Sequence, residues 1–180
     1  MIRLIFTLSL LLYVSFCIAQ FPTDSIIKNI NNIEADFVYD QAELVLIPGT
    51  NVKMQAPEHF LVSTEIPGLI HPGTSTTVQV QEIIGTSYVM IQQAMTPEHF
   101  KSQGVTLISS TEVEMADGKK GILYLVEFTV NGFLYERLML FAGDYNNTIW
   151  INANYPKTAK ALLQDLITKS LLTAQYIDQL

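Results

Sequence analysis

The pair Asn131-Gly132 constrains this chain more than any other two residues. Both central positions of a tight type I′ turn require positive φ, which Asn and Gly tolerate, and the flanks are strand-like, so residues 121–130 and 133–142 are predicted to form an antiparallel hairpin. Turn signals at Asp117-Gly118 and Gly143-Asp144 extend the hairpin into a meander of strands at 105–115, 121–130, 133–142 and 148–154. Alternation places Tyr124, Val126 and Phe128 on one face and Leu123, Leu125, Leu138 and Leu140 on the other. A sheet apolar on both sides needs cover on both, which predicts an α/β/α sandwich with a predominantly antiparallel sheet.

The covering elements can be read from the flanking segments. Leu162, Leu163, Leu166, Ile167 and Leu171 form one stripe of a helix opened by Pro156, with Lys160, Gln164 and Lys169 facing outward. Residues 87–95 carry apolar side chains near helical spacing, Thr96 caps a second short helix with Pro97 at its first position, and Gly104 ends it. Upstream, 44–47 and 52–55 read as extended segments split by Pro48-Gly49. Pro57, Pro67, Gly68, Pro72 and Gly73 mark a loop-rich passage before an alternating strand through Thr76, Val78, Val80 and Glu82.

Residues 1–19 carry a different message. Arg3 followed by an uncharged apolar run to Ile18 and a small residue, Ala19, is the pattern of a secretory signal cut before Gln20. The run is shorter than the ~20 residues a bilayer span needs, so no transmembrane segment is expected after cleavage. Lipid anchoring at Cys17 is the competing reading, but Phe16 stands where lipoprotein signals place a small residue. The expected layout is a signal at 1–19, a leader at 20–42 and one domain at 43–180, in a secreted or periplasmic protein. The leader holds Ile26, Ile27, Ile30 and Ile33 at the spacing of one amphipathic helix, or else is a spacer.

Removing the signal removes Cys17, the sole cysteine, so neither a disulfide nor a thiolate site is available to the mature chain. The net charge is −7, with lysines and Arg137 scattered rather than massed, which argues against nucleic acid and against anionic lipid surfaces. No Gly-x-Ser-x-Gly elbow, His-Glu-x-x-His pair, phosphate-binding glycine loop or EF-hand loop occurs.

Two constellations are candidates for chemistry. A two-residue turn at Asn131-Gly132 places Glu127 opposite Glu136, in a close, non-hydrogen-bonded pair where like charges repel. If Asp117-Gly118 is a two- or four-residue turn, Glu112 and Glu114 join that face near Leu123 and Gly121. Relief must come from water, Lys119, Lys120, a bound cation or a raised carboxyl pKa, so these acids are either a cation or polar-ligand site or simply solvated. The second is the tetrapeptide Pro-Glu-His-Phe at Pro57 and again at Pro97, whose His59 and His99, with His71, could hold Zn²⁺ if folded together. The plainer and favoured reading is that each proline starts a turn or helix, the Glu-His pair faces water, and Phe60 or Phe100 anchors the segment in the core. Trp150, between Ile149 and Ile151, either packs beneath a helix or stacks on a ligand.

Several stretches together resemble the PsbP-like proteins: Met54-Gln55-Ala56-Pro57-Glu58-His59-Phe60, the turn from Gly118 to Gly121, Arg137-Leu138-Met139-Leu140-Phe141 leading to Thr148-Ile149-Trp150-Ile151, and Tyr155-Pro156 before the Leu-rich helix. That fold is shared by the extrinsic oxygen-evolving-complex subunit, the Ran-binding nuclear import factor of yeast and small exported bacterial proteins. The resemblance covers about 44–176, with His59 standing where a glycine usually does. It implies an accessory or binding protein, with a protein partner and no cofactor, rather than an enzyme. The aromatic residues Tyr124, Phe128, Phe133, Tyr135 and Phe141 suit that reading. A metal or small-ligand carrier is the alternative, and a hydrolase with a dispersed site is the third class.

Overall fold

The computed structural model describes residues 37–177; the export segment, Cys17 and the leader helix expected around Ile26–Ile33 lie outside the described residues. The strands are β1 (Leu44–Leu46), β2 (Val52–Gln55), β3 (Leu61–Val62), β4 (Gly68–His71), β5 (Thr76–Ile84), β6 (Thr106–Glu114), β7 (Lys120–Val130), β8 (Phe133–Gly143), β9 (Asn147–Pro156) and β10 (Gln175–Tyr176). The helices are α1 (Tyr88–Ala94), α2 (Pro97–Ser102) and α3 (Lys160–Leu171). A seven-stranded antiparallel sheet runs β3-β4-β5-β9-β8-β7-β6, and a second sheet runs β1-β2-β10.

The hairpin forms as its turn residues dictate. Asn131 and Gly132 have φ of 50° and 81°, and β7 pairs with β8 from Val130↔Phe133 to Lys120↔Gly143. Two cores follow from the alternation. Leu125, Leu138, Leu140, Ile149, Ile151 and Tyr155 are buried on one face with Leu163, Ile167 and Leu171 of α3 and with Val52 and Met54 of β2. Ile122, Tyr124, Val126, Met139 and Phe141 are buried on the other with Phe100 of α2, and Ile91 of α1 packs against them. The protein is therefore a mixed α/β fold, a large antiparallel sheet with helices on both faces.

Four features differ from the sequence expectation. The α3 side is a composite layer, in which the three-stranded sheet shares the cover with the helix. The proline-rich passage contains two short strands, β3 and β4, drawn into the sheet by pairing along β5. Pro156 ends β9, paired with Tyr135, and a 3-10 turn at Lys157–Ala159 precedes the helix, consistent with a proline's preference for an extended predecessor.

The fourth feature is cover on the α1–α2 side. These helices have 7 and 6 residues, about 10 Å each at 1.5 Å per residue. Seven strands ~4.8 Å apart spread over about 30 Å. The helices lie over β6, β7 and β8, while Thr77, Gln79 and Gln81 of β5 and Trp150 and Asn154 of β9 stay half-exposed on the same face.

Backbone conformation sets two positions, His59 and Gly68, apart. His59 has φ 66°, in the left-handed region that glycine occupies without a steric penalty. Gly68 is the opposite case, since a Cβ there would sit 1.8 Å from the Val78 carbonyl oxygen. His59→Gly is thus expected to raise the unfolding free energy by about 0.5–1 kcal/mol. Gly68→Ala should lower it by about 1–3 kcal/mol, because β5 must move to admit the methyl group. Urea denaturation of both variants checks the opposite signs.

Candidate functional site

Glu127 and Glu136 are opposite one another on the α3 face, as the turn requires. Each has its own cation. Lys157, in the 3-10 turn, pairs with Glu127. Lys160, in the first turn of α3, donates to Glu136 Oε1 at 2.9 Å, and the Tyr155 hydroxyl donates to Oε2 at 2.9 Å. Lys160 therefore reaches inward to the sheet instead of facing outward. Glu136 is 1% exposed and both its oxygens are engaged, so the repulsion is relieved by the segment that follows β9. Lys119 and Lys120 serve Asp117 and Glu114 instead.

Glu112 and Glu114 do not join this pair. Glu112 lies opposite Ile122 and Glu114 opposite Lys120, which puts both on the α1–α2 face. The cause is the turn: Met115 N–H bonds to the Lys119 carbonyl at 2.8 Å, enclosing a three-residue loop with Gly118 at φ 80°. An odd loop length moves the β6 side chains from Ser109 to Glu114 to the opposite face, up to the bulge at Ile108. The loop is pinned because Met115 is buried and Ala116 N–H donates to the Leu172 carbonyl at 2.8 Å.

The two Pro-Glu-His-Phe copies are also separated by the sheet. Phe60 is buried in the α3-side core and Phe100 in the α1–α2 core, so His59 and His99 do not meet. His59 does lie near His71, whose pKa is lowered by burial and then by the neighbouring His59. Among the described residues, no group of three or more His, Cys, Asp or Glu side chains is placed to hold a metal ion.

The structure instead gathers a site that the sequence reading did not single out. Between the C-terminal end of α2 and the sheet lies a cavity of about 570 Å³, within the size range of small-molecule sites. Its walls include His99, Gln103, Phe128, Arg137, Met139 and Trp150. Arg137 Nε donates to Asn154 Oδ1 at 2.5 Å, Asn154 Nδ2 reaches Thr77 Oγ1 at 3.4 Å, and the guanidinium carbon stands 4.9 Å from the Phe128 ring centre. Burial lowers the Arg137 pKa, yet a guanidinium keeps its charge at neutral pH. Among the described residues no carboxylate pairs with it.

Trp150 stacks on Phe141 with ring centres 5.6 Å apart, and its Nε1 donates to Asn152 Oδ1 at 3.2 Å. Tyr124 and Phe141 are core residues, whereas Phe128 stacks on Tyr135 at 5.8 Å and Phe133 is 70% exposed at the hairpin tip. The signals in the sequence for this site were Trp150, whose packing and ligand-stacking readings were both open, and a lone arginine in an alternating strand next to a glutamate that faces the other way.

The sequence matches no family model, and no curated protein matches it. Among solved structures, LpqN of Mycobacterium tuberculosis, described as involved in cell envelope biogenesis, superposes with TM-score 0.57 at 13% identity, over 73% of this chain and 86% of that one. A Bacteroides thetaiotaomicron protein gives 0.52 at 14% identity, over 76% of this chain and 49% of that one. The cyanobacterial PsbP protein of Synechocystis gives 0.50 at 11% identity, over 78% and 91%. The chain has the PsbP-like fold.

The Glu136 network makes two predictions. Lys160→Met leaves a buried carboxylate oxygen without its donor and is expected to cost about 1–3 kcal/mol, and Lys157→Met, at the more exposed pair, is expected to cost less. Urea midpoints distinguish the two.

The second concerns alkaline pH. Tyr155 is raised well above its ordinary value, chiefly by burial and then by its bond to Glu136, and Tyr176 is pushed up to about 12, chiefly by burial. Below about pH 10 both folded and unfolded chains keep the phenol protons. Above it the unfolded chain loses them first, so stability should fall as pH rises. Tyr155→Phe should be less stable near neutrality but show a shallower alkaline slope.

Proposed function

We propose that this chain is an exported accessory protein of the cell envelope that acts by binding, without catalysis, through the partly open α1–α2 face of its sheet. The observation that carries this reading is Arg137, a half-buried cation with no carboxylate partner among the described residues, held on the wall of a cavity. Around it the β5–β9 side of the face presents Gln79, Gln81 and Asn154, side chains that both donate and accept hydrogen bonds. Export is supported by Arg3, the apolar run and Ala19. The envelope setting is supported by the likeness to LpqN, at the level of fold. No helix among the described residues is long and apolar enough to cross a membrane, which suits release or peripheral attachment.

The test is fractionation of cells expressing the tagged chain. The mature protein is expected outside the cytosol, with an intact mass starting at Gln20. Replacing Gln79 and Gln81 together by Glu should lower the fraction retained with the envelope about tenfold, the equivalent of ~1.4 kcal/mol. Gln164→Glu, on α3 at the other side of the sheet, should leave it unchanged. An unprocessed chain in the cytosol sinks the export reading, and equal retention of both variants sinks the open face as the binding surface.

A further inference from the structure

The charge on the cavity wall specifies its ligand more closely. Chain neighbours Glu136 and Arg137 point to opposite faces of β8, and the two glutamates on the α3 side are already matched by Lys157 and Lys160. The sheet thus separates Arg137 from the nearest carboxylates in its own hairpin. The guanidinium is nevertheless held in place: Asn154 engages Nε, Thr77 supports Asn154, and the guanidinium carbon lies over the Phe128 ring. A guanidinium has five N–H donors, and Nε alone is used in this network, which leaves the terminal fork for a planar oxyanion. Orientation of this kind lowers the entropic cost of a bidentate contact.

The rest of the wall selects among oxyanions. Among the described residues Arg137 is the only Lys or Arg side chain lining the cavity, with the imidazole of His99 on the same wall, so the permanent positive charge there matches one negative charge better than a phosphate dianion. Gln103 lines it, and the half-exposed Gln79 and Gln81 continue the same face beyond the lining, beside Trp150. Carboxamides pair with hydroxyl groups in either direction, and aromatic walls pack against C–H faces. The volume admits a molecule of monosaccharide to disaccharide size. Building on the open-face binding reading, we propose that this cavity binds an acidic sugar, with the Arg137 guanidinium gripping its carboxylate and the carboxamide side chains taking its hydroxyls.

Trp150 is the only tryptophan in the chain and lies on the cavity wall, so its fluorescence reports on this site alone. Titrations of the full mature protein with D-glucuronate, D-glucose and inorganic phosphate at constant ionic strength test the proposal, with calorimetry as a second readout. Glucuronate should produce a saturable change, with glucose and phosphate each at least about tenfold weaker. Arg137→Gln should weaken glucuronate about tenfold or more while the far-ultraviolet circular dichroism is unchanged, and Arg137→Lys should recover only part of that, since a point charge lacks the fork. Asn154→Ala, which keeps the charge but releases its orientation, should give an intermediate loss.

Glucose binding as tightly as glucuronate, phosphate binding more tightly, or no saturable response to glucuronate by either method overturns the acidic-sugar assignment. So does glucuronate affinity unaffected by Arg137→Gln. Envelope retention of the Gln79 and Gln81 double variant is read separately by fractionation, so a failed ligand class and a failed binding surface are told apart.

Discussion

Strand alternation along β8 governs this structure, because it sends Glu136 down into one core and Arg137 up toward the other face. A slip of one residue would reverse both. Glu136 would leave the Tyr155 hydroxyl and Lys160, and Arg137 would enter a layer packed with Leu163, Ile167 and Leu171. Burying an unpaired charge costs far more than an exposed hydrophobic side chain gains, so the charged residues enforce the register as strongly as the leucines do. The Asn131-Gly132 turn sets that register at the hairpin end, and the Lys160–Glu136–Tyr155 contacts secure it from the helix side.

The hairpin and its two faces were legible because they depend on local turn chemistry and a period of two. Thr96 as helix cap, Pro97 at the first helical position and the apolar stripe of α3 were legible for the same reason. The position of Glu112 and Glu114 was not, since Asp117-Gly118 fits turns of several lengths and the three-residue form is selected by distant contacts: burial of Met115 and the bond from Ala116 to Leu172. Lys157 and Lys160 were missed as partners of the glutamates because a 3-10 turn inserted after Pro156 carries them back over the sheet. Short strands such as β3 and β10 carry too few residues for any period to show.

The open part of the sheet could have been anticipated from lengths. Helices of 7 and 6 residues cannot roof a sheet that uses seven strands, so one side had to run out of cover. Composition along β5 and β9 agrees with this, because the half-exposed positions facing that side include Thr77, Gln79, Gln81 and Asn154, whereas those facing α3 are Val78, Val80, Ile151 and Ala153. An alternation of amide and aliphatic residues is what a strand shows when one of its faces is built to stay wet.

This division separates the part of the molecule that makes the fold from the part that can vary with function. The α3 side is closed by aliphatic packing and a satisfied ionic network, and substitutions there act on stability. The amide rows over β5 and β9 contribute little to either hydrophobic core, so their identities can change while the fold persists. Structures with 11–14% identity to this chain still superpose on it, which requires the constraint on folding to lie in patterns that many residues can meet. Arg137 is the exception on the open side: a charge kept half-buried, supported by Asn154 and Phe128, with nothing in the core depending on it. Partly desolvating a cation works against stability, and the Asn154 bond and the Phe128 ring are what offset that cost at this position.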